Sequence, residues 1–124
     1  MLTQINIGRM EFDYPKMKGI MDRSFNSVKV PFHKDSSAMD MTKKSREIVW
    51  GKKEKNYDYF IADGSGTAIS ADSSSFDIDL PNGEKEHLPW TLNNYLQVSG
   101  VKYASRLRLY CVRKLMSSGK VCSL

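Results

Sequence analysis

From Leu88 to Leu124 the chain carries Lys102, Arg106, Arg108, Arg113, Lys114 and Lys120, and no carboxylate at all. The segment before it, residues 57–87, is the reverse, with Asp58, Asp63, Asp72, Asp77, Asp79, Glu84 and Glu86 against Lys85 alone. A third block, residues 42–56, is basic again, setting Lys43, Lys44, Arg46, Lys52, Lys53 and Lys55 against Glu47 and Glu54. Clustered like charge repels itself. Any fold of this chain must therefore bring these blocks together or turn the basic ones toward an anion from another molecule.

The remaining composition is that of a folded domain. With 40% apolar and 27% charged residues, the chain lies far from the low-hydrophobicity range of disordered sequences. Its 124 residues fit one domain, 1–124, able to bury about two-thirds of the surface the unfolded chain exposes. No apolar run approaches the ~18 residues of a membrane span. MLTQINIGRMEF lacks the charged start, apolar middle and small-residue cleavage site of a signal peptide. A cytoplasmic protein without membrane association is the expectation.

Residues 1–87 read as β-rich. INIGRMEF alternates in part, Val28, Val30 and Phe32 alternate in SVKVPF, and REIVW and YDYFIA are aromatic and β-branched. Phe76, Ile78 and Leu80 alternate ahead of the turn residues Pro81, Asn82 and Gly83. Pro15 and Pro31 read as breaks, and GSGTAISADSSS, residues 64–75, as a connection between strands. MKGIMDRSF and the stretch from Ser36 to Lys44 are left open as short helices. After Pro89 the texture changes: Thr91 can cap a helix over about 91–98, with Leu92, Tyr95 and Leu96 on one face and Gly100 ending it.

The segment 101–121 has two readings. As a helix it gathers Ala104, Leu107, Cys111, Val112 and Leu115 on one arc and Lys102, Arg106 and Arg113 within about 40° on the other side. As one arm of a β-hairpin it alternates Leu107, Leu109 and Cys111 with Arg106, Arg108 and Tyr110, turning at Ser117 to Lys120. The strand accommodates Arg108, but alternation lapses from Val112 to Lys114, and Leu, Arg, Lys and Met favour helices. The helix is preferred. The fold expected is α+β, a β-rich portion of short antiparallel strands (1–87) and a helical, basic C-terminal segment (88–124); the alternative is a mainly β fold with a C-terminal hairpin.

Read as two helices, Leu92 and Leu96, then Gly100 with Val101, then Leu107 to Leu115, then Gly119 with Val121 resemble the helix-turn-helix core of winged-helix DNA-binding proteins. The resemblance covers residues 91–121. It implies that Lys102, Tyr103, Ser105, Arg106 and Arg113 face nucleic acid from a helix in the major groove, with DNA favoured over RNA. Lys114 and Lys120 of the same segment, and Lys52 and Lys53 beside Trp50, complete the candidate set. In the hairpin reading, Arg106, Arg108 and Tyr110 share one sheet face, an arrangement that suits single strands in OB-type modules.

Little points to catalysis. His33 and His87 stand outside any motif, and Asp77 and Asp79, on one strand face, read as a solvated pair. ADGSG and PNGEK lack the spacing of a phosphate-binding or calcium loop. Cys111 and Cys122 read as packed thiols, although a hairpin would set them across from each other. We therefore expect a non-enzymatic nucleic-acid-binding protein with no cofactor and no metal. The alternative is a protein-binding module, a small inhibitor or self-assembling subunit, using the segregated charges and the seven methionines for docking.

Overall fold

Elements β1 (Leu2–Asp13), β2 (Lys18–Met21), β3 (Val28–His33), α1 (Ala38–Val49), β4 (Tyr57–Ala62), β5 (Ser75–Asp79), β6 (Lys85–Pro89), α2 (Leu92–Ser99) and β7 (Arg108–Leu115) follow one another along the chain. The computed structural model describes residues 2–69, 75–99 and 106–116. The class is α+β with a β-rich N-terminal part, as expected. Among the described residues five strands form one mixed sheet. β1 runs antiparallel to both β2 and β3 along one edge and parallel to β7 along the other, and β7 runs antiparallel to β4. β5 and β6 make a separate hairpin.

The preference for a helix at 108–115 is corrected: this stretch is β7, a strand with a partner on each edge. Its misreading has a physical cause. Leu109 and Cys111 enter the core under α1, while Tyr110 and Val112 enter a second core on the opposite face. A strand buried on both faces loses its polar alternation and reads as a continuous apolar run. The second helix of the winged-helix-like pattern is therefore not formed over these residues. Gly100 to Ser105 and the proposed turn at Ser117 to Lys120, with Cys122, lie outside the described residues.

REIVW is corrected in the opposite sense, because it lies in α1 and its C-cap. Ser37 caps that helix, its hydroxyl accepting from the Asp40 N–H at 3.1 Å while the Asp40 carboxylate accepts from the Ser37 N–H. This capping box starts a helix whose Met41, Ser45 and Val49, four apart, face the core. Ser37→Ala should cost about 1 kcal/mol, read as a lower midpoint in denaturant with unchanged slope. MKGIMDRSF holds β2 rather than a helix. Pro31 does not break the chain; it sits in β3, an edge strand where a missing N–H is tolerated, and its carbonyl accepts from Lys44 Nζ of α1. His87 falls in β6. The expected second helix is α2, with Thr91 Oγ1 accepting from the Asn94 N–H at 3.1 Å.

The core under α1 contains Ile5, Ile7, Val30, Phe32, Met41, Tyr59, Ile61, Trp90, Leu92 and Leu109. The sheet's other face is divided. Toward the end of β1 it is closed, with Met10, Ala62 and Val112 buried, because β2 curls over it at Gly19 and the 63–66 turn crosses there. Toward the beginning of β1 it is open among the described residues, with Gln4, Lys29 and Arg108 exposed.

Candidate nucleic-acid interface

Arg113, expected to face nucleic acid, is engaged within the chain. Its guanidinium donates from Nε and Nη2 to Glu11 and from Nη1 to Glu54 at 3.3 Å. It also lies over the rings of Trp50, 4.2 Å from the centroid, and Tyr57, 4.6 Å. The hydrogen bond to Glu11 holds its pKa above the ordinary arginine value. Arg9 repeats the arrangement one step along, between Trp50 at 4.5 Å and Phe25 at 4.7 Å, and donates to Asp22 at 2.7 Å and 3.0 Å. The result is a ladder in the order Phe25, Arg9, Trp50, Arg113, Tyr57. Trp50 is thus a structural ring holding two cations. Arg113 is removed from the candidate contacts on this geometry.

Lys114 is also engaged, its Nζ lying 4.5 Å from the Phe12 ring centroid. Lys52 and Lys53 are exposed in the link from α1 to β4, at the end of β7 where Leu115 pairs with Tyr57. Arg106 is exposed just before β7 begins, and seven residues of strand rise, about 23 Å, separate the two ends of β7. The described candidate cations thus do not form one patch. Lys102, Tyr103, Ser105 and Lys120 lie outside the described residues.

What the fold does assemble is on the open half of the sheet. Asn6 of β1 pairs with Lys29 of β3 on one side and with Arg108 of β7 on the other. Their neighbours Ile5, Ile7, Val28, Val30, Leu107 and Leu109 all belong to the α1 core, so alternation turns Asn6, Lys29 and Arg108 to the open face. Lys29 and Arg108 are exposed, and neither has an ion-pair partner among the described residues. The adjoining positions of that face are Gln4, Pro31 and His33, with no carboxylate among them. Lys29 was missed from sequence. The Val28, Lys29, Val30 alternation marks it as outward, but nothing local sets it beside Arg108.

Next to this row lies an open cleft of about 250 Å³, lined by Asn6, Gly8, Phe25, Asn26, Arg108 and Tyr110 among others. Tyr110 lies across β1 at Gly8, where a Cβ would come within 2.7 Å of its ring. The Asp22 carboxyl on the wall is held below its ordinary value by hydrogen bonds from Ser24 and then Arg9, so its ion pair is intact at neutral pH. Cys111 offers no nucleophile: burial pushes its thiol pKa up to about 12. Among the described residues no group of three His, Cys, Asp or Glu side chains is placed to hold a metal, and no helix is long and apolar enough to cross a membrane. Comparison with known protein families, curated proteins and solved structures finds no match.

Proposed function

We propose that this protein is a non-enzymatic nucleic-acid-binding module that holds the phosphates of a single strand on the open half of its sheet, with DNA the preferred polymer. The observation that carries this reading is the cross-strand row Lys29, Asn6, Arg108, two exposed cations flanking an amide with no carboxylate at the adjoining positions Gln4, Pro31 and His33. Arg106, exposed two residues before Arg108, adds a third cation ahead of β7. The contact is moved from the groove-reading helix to a sheet, the geometry of the hairpin alternative. A cationic sheet face tracks a flexible backbone and needs no groove.

Binding of a labelled single-stranded oligonucleotide, followed by fluorescence anisotropy against salt, tests this. Three phosphate contacts give a slope of log affinity against log salt of about −2. The double variant Lys29→Ala, Arg108→Ala should bind about tenfold more weakly at low salt and flatten that slope by about 1.4. Arg113→Ala, matched for net charge per site, should leave the slope unchanged. No binding at low salt, or an unchanged titration in the double variant, overturns the reading. An assembly that instead grows with concentration and dissolves in salt would assign the segregated charges to docking between protein chains.

A further inference from the structure

We propose that the cleft beside the Lys29, Asn6, Arg108 row takes one unpaired base of the bound strand. This rests on the single-strand reading above and adds what the strand's bases do. The cleft exists because β1 changes partner along one edge: β2 pairs with residues 10–13 and β3 with residues 2–7. Gly8 and Arg9 fall in the gap between them, bridged there by the Asp22 N–H donating to the Arg9 carbonyl at 2.9 Å. The chain from Asp22 to Ser27 then arches away before β3 begins, and its residues form one wall.

The lining is mixed in the way a base requires. Tyr110 and Phe25 present aromatic carbon, and the exposed Asn26 carries an amide that can meet the donors and acceptors of a base edge. Arg108 stands in the lining and in the phosphate row at once. A backbone phosphate on Arg108 therefore places its own base at the mouth. Within the lining Asp22 and Arg9 neutralise each other, which leaves Arg108, on the row, as the cation for the phosphate. The phosphate belongs outside, on the row, and the uncharged base inside. At about 250 Å³ the space is smaller than the usual drug-sized pocket and suits one base. A base held in a duplex stack cannot enter it, so the cleft also selects single strands over double.

Three probes of equal length separate the outcomes by anisotropy: a twelve-nucleotide single strand, the same phosphate backbone carrying abasic sites, and the corresponding duplex. The single strand should bind about tenfold more tightly than the abasic backbone and the duplex. Ser27→Trp, an exposed position on the cleft wall, should fill the space and reduce that preference below twofold while the salt slope stays the same. Equal affinity for the normal and abasic strands overturns the base site but leaves the phosphate reading standing. No binding of any probe at low salt overturns both. A nucleoside monophosphate that binds as tightly as the twelve-nucleotide strand would assign the cleft to a free nucleotide and overturn the proposal.

Discussion

Trp50→Ala should lower the stability of the folded chain by about 3 kcal/mol, the low end of the range for emptying a large aromatic site, because Trp50 is half-buried. The ring does three things at once. It separates Arg9 from Arg113, it offers its π-surface to both cations, and its indole N–H donates to the Cys111 carbonyl of β7 at 3.1 Å. Contacts of a guanidinium with an aromatic face contribute about 0.5–1 kcal/mol each at exposed sites and more when shielded from water. With the ring gone, two guanidinium groups remain near each other, held by Asp22, Glu11 and Glu54 and by the outer rings of Phe25 and Tyr57. Trp50→Phe keeps an aromatic ring between the cations while losing the indole donor and part of the ring surface; a loss of about 1–2 kcal/mol is expected. Denaturant unfolding reads both variants. A loss below 1 kcal/mol in Trp50→Ala would show that the ladder is ornament on a sheet already held by its cores.

Gly66→Ala should cost about 3 kcal/mol and lower the thermal midpoint by about 10 °C. Two penalties add at this position. Gly66 has φ +87°, where an L side chain is strained, and a Cβ there would lie 2.2 Å from the Gly19 carbonyl oxygen and 2.7 Å from its nitrogen. Those atoms belong to the backbone of β2, which cannot move aside without loosening the hydrogen bond from the Gly19 N–H to the Gly66 carbonyl at 3.0 Å. The crossing of these two glycines is what closes the second core over Met10 and Val112. Other glycines serve as controls. Gly51 has φ +81° but open space around it, so Gly51→Ala should show the conformational part alone, about 1 kcal/mol. Gly64 has open space and no such φ, and Gly64→Ala should be neutral or slightly stabilising. Thermal melts of the three variants give the order; a Gly66 variant no worse than the Gly51 one would remove the close approach from the argument.

The strands β1, β3, β4 and β5 were legible because each alternates or carries β-branched and aromatic residues between turn signals. The α2 helix was legible from its Thr91 cap. The capping box of α1 was present in Ser37 and Asp40, yet Ile48 and Val49 side by side imitated a strand. For the site, Arg106 and the pair Arg108 and Tyr110 were visible under the hairpin alternative, whereas Lys29 and the structural use of Arg113 were not.

Residue order alone determined where polarity alternates, where helices are capped, and that the last 37 residues bring cations without carboxylates of their own. Tertiary structure decided which of those cations stay free. Arg113 meets Glu11 across 102 positions of sequence, and Arg108 is set in one row with Asn6 and Lys29 by the parallel pairing of β7 with β1 and the antiparallel pairing of β1 with β3. Local periodicity carries no information about register between segments so far apart. A central strand buried on both faces also erases the one pattern by which a strand announces itself.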